Sequence, residues 1–190
     1  MLCLWGIKMK YYLVALFDTE SYSAMEKIQK NICQKYKIYK NVPMLHITLE
    51  TIEDPDMDKL SQVISNILKP YKKFKVETSG IICFDPPYKS VNLKIENKGY
   101  IIRLARTMND TLKLHGFNVR ENIDNWDLHV SLASTNYAIR EWSGKEYVAA
   151  CTDAKKDGFY KMSSVDRIEL WKPINNKKEM LVKSFPLRNY

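Results

Sequence analysis

The sequence predicts an internally duplicated α+β protein, one domain over residues 1–190 built from two intimately packed, intertwined lobes. Three observations carry that reading. Strand-like and helix-like stretches alternate early in the 190-residue chain, and a helix followed by strands comes round again late. Each half holds one copy of a short pattern, Leu45-His46-Ile47-Thr48-Leu49 and Leu128-His129-Val130-Ser131-Leu132. No Gly-, Ser- or Pro-rich linker divides the halves, so they share a core.

The elements follow in order. Residues 11–17 are a β-branched and aromatic run and predict a strand. Met25, Ile28, Ile32 and Tyr36 recur at helical spacing and predict a helix over 21–36. The first histidine pattern, 45–51, is a strand. Asp56 caps the next helix, whose stripe is Leu60, Val63, Ile64, Ile67 and Leu68 and which Pro70 stops. Residues 74–84 and 90–96 read as two strands turned by Asp85-Pro86-Pro87. Ile101, Leu104, Ala105, Met108 and Leu112 form a helical stripe ended by Gly116 at C′. The second histidine pattern is a strand over 128–133. A polar helix is expected over about 143–157, and 165–171 with 180–185 form a terminal hairpin.

Composition narrows the function classes. The apolar (45%) and charged (27%) fractions are those of an ordinary globular protein rather than a disordered or fibrous one. No apolar run approaches the ~20 residues of a spanning helix, so no membrane partner is expected. Residues 1–8 read as a start-site extension with Met9 as an alternative start, being too short and wrongly flanked for a secretory signal. Cys3, Cys33, Cys83 and Cys151 are scattered and form no C-x-x-C; neither a disulfide framework nor a cysteine zinc site is expected, and a reducing cytoplasm is the expected compartment. The formal charge of +8 favours a polyanionic partner, RNA or a nucleotide, although many proteins are this basic for solubility alone. No obligate protein partner is called for, and a monomer is expected.

The paired histidines carry the chemistry. In a strand, residues i and i+2 share a face. His46 then projects with Thr48, and His129 with Ser131, while the apolar neighbours face the core. One such pattern is usually a packed histidine; two, in matching strands, are not a coincidence to expect from three histidines. Phosphodiester cleavage wants this set: one neutral imidazole to take a proton, one imidazolium to give one, and two hydroxyls to donate to the non-bridging phosphate oxygens. No metal or other cofactor is required. A zinc reading fails for want of an H-E-x-x-H or a carboxylate inside either motif. Glu50 lies just beyond the first motif, on the expected face of Thr48, and reads as solvated.

The tandem His46-Ile47-Thr48 and His129-Val130-Ser131 resembles the 2H phosphoesterase superfamily, which includes 2′-5′ RNA ligase-like proteins and cyclic phosphodiesterases. The likeness runs from the first strand through Trp171. Gly80-Ile81-Ile82-Cys83-Phe84, Pro87 and Val91-Asn92-Leu93 also resemble the family's stretch between its motifs. Ser131 stands where Thr is commoner, keeping the hydroxyl. The resemblance implies a bilobal, pseudo-twofold fold of duplicated antiparallel sheets with flanking helices, and a central groove with His46 and His129 facing across it. It implies metal-independent action on a 2′,3′-cyclic phosphate or a 2′-5′ linkage.

Around these four catalytic candidates, Phe84, Tyr88 and Trp126 are candidate base-stacking residues. Lys89 and Arg120 could meet phosphate but read as solvated, His115 as a helix-end residue, and Trp171 as core. Two other functions remain: degradation of signalling oligonucleotides (2′-5′ oligoadenylate or cyclic dinucleotides) by the same mechanism, and a non-catalytic RNA-binding module, against which the intact motifs argue. A ligase activity has the least support, there being no nucleotide-activating loop.

Overall fold

The structure, a computed structural model, describes residues 8–189. The start-site reading therefore falls, apart from Lys8, outside the described residues. In chain order the elements are β1 (Lys10–Phe17), α1 (Thr19–Tyr36), β2 (Ile47–Glu53), α2 (Met57–Leu68), β3 (Phe74–Phe84), β4 (Ser90–Ile95), α3 (Gly99–Leu114), β5 (Asn118–Val119), β6 (His129–Ala133), α4 (Gly144–Asp157), β7 (Tyr160–Trp171) and β8 (Leu181–Pro186).

Local chemistry sets the helix ends. Asp18 accepts from the Ser21 N–H, so α1 starts at Thr19, two residues before the expected start at 21. Asp56 caps α2 as expected, accepting from the Asp58 and Lys59 amides at 3.1 Å each. Ser143 and Glu146 form a reciprocal capping box on α4. Gly116, at φ 79°, takes the left-handed conformation that follows the end of α3.

The named strands pair only in antiparallel fashion, in the order β1-β2-β6-β4-β3-β7-β8, and β1 also pairs with β7. The first six strands of that order therefore close into a ring. On one side of the ring the twelve-residue β7 serves both lobes. Its first half pairs with β3 and its second half with β1, and Val165 lies opposite both Phe74 and Phe17. On the other side a single residue pair, Ile47↔Val130, joins β2 to β6. The sequence led us to expect two sheets; because β7 is long enough to run through both, they are one continuous sheet of eight strands.

The helices bridge the halves. The helix that follows β1, α1, packs against β6 and α4 as well as β1, and α4 covers β3 and β4; α3, which follows β4, packs against α2 and against β2, β3 and β5. Leu13, Ala15, Ile47, Leu49, Leu93, Val130 and Leu132 meet the helix stripes in one buried core. On the opposite side of β1, Val14 and Leu16 form a smaller cluster with Trp171 and Met180.

The cysteine reading needs correction. Cys83 and Cys151 are joined in a disulfide although 68 residues separate them. Cys83 ends β3 on the side that α4 covers, so a helix invisible as a neighbour in the sequence brings its partner. Cys33 is free and buried.

Ile47 is fully buried at the joint between the lobes. Replacing it by alanine is expected to cost about 2–5 kcal/mol in urea unfolding, whereas Ile139→Ala, at a position 65% exposed, is expected to stay within about 0.5 kcal/mol.

Candidate active site

The Ile47↔Val130 pair arranges everything around it. Both side chains are buried, on the helix side of the sheet. Continuing the antiparallel register by one residue each way puts His46 opposite Ser131 and Thr48 opposite His129. All four project from the other face, and all four are half-buried between buried neighbours. A local twofold axis passes through the pair. The imidazoles are diagonal neighbours, which in a regular ladder means a separation of roughly 7–8 Å, room for a phosphate between them.

The two rings are held alike. His46 Nδ1 lies 2.7 Å from the Met44 carbonyl oxygen, and His129 Nδ1 lies 2.7 Å from that of Asp127. A carbonyl only accepts, so each Nδ1 carries the proton and donates it. Each Nε2 is left as the chemically active nitrogen. The ring of Trp171 stands edge-on to His46 at 4.7 Å, and that of Phe84 edge-on to His129 at 5.0 Å. Trp126 lies 5.8 Å from His129 on another side. Trp171 is itself fixed by its indole N–H, which donates to Glu169 at 2.7 Å.

Burial among these rings disfavours the charged imidazoles. It pushes the His46 pKa down to about 4, with a smaller contribution from the nearby His129. The His129 pKa is lowered for the same reason, helped by the Arg120 charge and opposed by the Asp127 carbonyl and carboxylate.

Two expectations about charged residues are overturned together. Glu50 is neither solvated nor on the face of Thr48. In β2, Thr48 pairs with Val14 and Glu50 with Leu13, so a bulge at Leu49 inserts one residue and turns Glu50 to the helix side. There it is fully buried, 2.8 Å from Arg120 Nε and 2.7 Å from the Asn109 amide nitrogen of α3. Arg120 is likewise no surface residue. Its Nη2 donates at 2.7 Å to the Leu49 carbonyl at the bulge, and its guanidinium lies 4.1 Å from the Trp126 ring centroid. A buried ion pair thus stands behind the aromatic wall of His129. Arg120 Nη1 and Trp126 Nε1 are buried without an acceptor among the described residues.

Of the other candidates, Phe84 and Trp126 lie beside His129, and Tyr88 lies in the β3–β4 turn, 67% exposed. Lys89, expected to be solvated, is half-buried, with Nζ 3.5 Å from the Trp142 carbonyl. His115 ends α3 as expected, Nδ1 donating to the Thr111 carbonyl at 2.8 Å. Trp171 is buried as expected, yet its contact with His46 was not anticipated. Its signal is present in β7, where Ile168 and Leu170 face the core and Arg167, Glu169 and Trp171 alternate with them. Among the described residues, no three His, Cys, Asp or Glu side chains gather as a set able to hold a metal ion, and no helix is long and apolar enough to cross a membrane.

Residues 17–177 match the model of the 2′-5′ RNA ligase superfamily. The chain belongs to this family, a branch of the 2H phosphoesterases. Solved structures agree on the fold. TT0787 of Thermus thermophilus superposes with a TM-score of 0.64 at 17% identity, over 95% of this chain and 99% of that one. E. coli LigT complexed with 3′-AMP gives 0.58 at 13% identity, over 96% and 97%. LigT complexed with ATP gives 0.58 at 12% identity, over 96% and 99%. None of the curated proteins matches the chain significantly.

Two outcomes test this electrostatic arrangement. Arg120→Met, which strands the buried Glu50 carboxylate, is expected to cost about 3–5 kcal/mol in denaturant unfolding; the Glu50→Gln, Arg120→Met double variant should lose less than the sum of the singles. The lowered His46 pKa means that the unfolded chain binds more protons than the folded one between pH 6.5 and about 4. Stability is therefore expected to be full above pH 6.5 and to fall as the pH drops through that window, by a few kcal/mol at most. In His46→Gln the dependence measured by urea unfolding should flatten.

Proposed function

We propose that this phosphoesterase cleaves a 2′,3′-cyclic phosphate or a 2′-5′ phosphodiester in RNA or a nucleotide by general acid–base catalysis between His46 and His129. The observation that carries the reading is the twofold placement of two Nδ1-tethered imidazoles, each diagonal to the other and each opposite a hydroxyl, on one face of the sheet. The capture of LigT with 3′-AMP and with ATP supports nucleotides as the ligand class.

In this mechanism His46, whose surroundings favour its neutral form, accepts the proton of the attacking water at Nε2. The water oxygen bonds to phosphorus as the bond to the leaving ribose oxygen breaks. His129, entering in its protonated form, which burial disfavours and Asp127 partly restores, gives its Nε2 proton to that oxygen. Thr48 and Ser131 donate hydrogen bonds to the non-bridging oxygens as negative charge builds on them. Phe84 and Trp126, flanking His129, offer faces to the base. The two imidazoles and two hydroxyls supply each proton transfer and the charge stabilisation, so no metal is invoked. A substrate of this class fits an enzyme of the cytoplasm.

The experiment is turnover of 2′,3′-cyclic nucleotides and 2′-5′ dinucleotides in EDTA by the wild-type chain, His46→Ala and His129→Ala. Each variant is expected to lose about 10²–10⁴ in kcat/KM, with the wild-type rate bell-shaped in pH. Full activity in either variant, or a flat pH profile with chemistry rate-limiting, would overturn the assignment.

A further inference from the structure

Beyond the paired histidines, the same face of the sheet carries a feature that the proposed cleavage does not use. Tyr160 is 78% exposed, in the first residue of β7. It pairs with Ser79 of β3. Between Thr78 and Ile81 the β3–β4 register slips, leaving Ser79 and Gly80 both opposite Lys94. Lys94 in turn pairs with His129 on β6. Cross-strand partners share a face. Tyr160, Lys94 and His129 therefore form one row across the sheet on the catalytic side, spanning three strand spacings or about 14 Å.

The Tyr160 ring is seated on backbone. A Cβ at Gly80 would come within 2.9 Å of its hydroxyl oxygen, and one at Gly158 within 3.5 Å of its Cε2. Gly80, at φ 89°, supplies both the bulge and the missing side chain that let the phenol lie across β3. One side of the ring rests on the chain and the rest is open to solvent. Met162, 52% exposed, stands beside it on the same strand face. Lys94 reaches solvent between Tyr160 and His129, and its ion-pair contact among the described residues is a long one, 3.8 Å to Glu96. A fixed aromatic plate and a loosely held cation at this spacing suit one base and one backbone phosphate of a single strand.

We propose that Tyr160 and Lys94 form a subsite for the nucleotide that precedes the reacting one, and hence that the substrate is a single-stranded oligoribonucleotide rather than a mononucleotide. This rests on the function proposed above. With Phe84 and Trp126 beside His129 taking the terminal base, Tyr160 receives the next base along the strand, and Lys94 the phosphate between them.

The test compares a 2′,3′-cyclic mononucleotide with a short oligoribonucleotide ending in the same cyclic phosphate. Tyr160→Ala is expected to lower kcat/KM on the oligonucleotide about tenfold, mainly through KM, and to leave the mononucleotide unchanged. Tyr160→Phe, which keeps the ring, should retain wild-type behaviour. Lys94→Gln should weaken the oligonucleotide and reduce the slope of log affinity against log salt by about 0.7. Equal loss on both substrates, or no loss on the oligonucleotide, overturns the subsite. Fluorescence anisotropy with a labelled oligonucleotide ending in a 3′-phosphate separates this outcome from failure of the chemistry. If the wild-type chain turns over neither substrate, weaker oligonucleotide binding by Tyr160→Ala still supports the platform, and unchanged binding still removes it.

Discussion

One backbone pairing, Ile47 with Val130, underlies the arrangement of the molecule. It is the sole residue pair between β2 and β6 among the described residues, and it is antiparallel, so whatever stands one residue away on one strand meets its counterpart two residues displaced on the other. Two copies of a five-residue pattern thereby become one twofold-related set of four polar groups. The apolar members of each copy make the pairing possible. Buried on the helix side, they hold the two strands together where the backbone ladder is too short to do so. Packing energy on one face fixes the geometry of the other.

The cost of the site lies behind it. A bulge in β2 interrupts the ladder at Leu49 and turns a carboxylate inward, and burying a charge is expensive unless it is paired and hydrogen-bonded. Arg120 answers both difficulties, pairing with Glu50 and satisfying the bulge carbonyl, and the remaining carboxylate oxygen takes the Asn109 amide. The same guanidinium backs the indole that walls His129. The arrangement links β2, β5, α3 and the segment leading to β6, elements from both halves of the chain, at the place where the reacting groups must be held still.

What the sequence disclosed follows from periodicity. Every residue of the α2 stripe read from spacing, Leu60 through Leu68, is buried, β3 has the expected bounds, and the alternation around both histidines holds residue by residue. What escaped it breaks periodicity or joins distant segments. Two-residue β5 is too short to leave a pattern. The i, i+2 rule failed for Glu50 because a bulge shifts parity and no local residue announces one. Arg120 and Trp171 read as surface and core because their partners lie far away in the chain. Cys83 and Cys151 looked unrelated until α4 was laid against β3.

The closed ring of six strands has a further meaning for a chain this rich in β structure. An open sheet ends in rows of unpaired amides and carbonyls that can recruit another copy, and closure removes most of that hazard. In β1, β2, β6, β4, β3 and β7, each strand has a neighbour on both sides. The strands appended outside the ring are β5, two residues long on β2, and β8, six residues long, with Lys183 near its middle and Pro186 at its end. A charge and a missing amide on a short strand make a poor template for cross-β addition. The topology that assembles the site also guards the protein against aggregation, leaving outside the ring only two short strands, the longer of which carries its own deterrents.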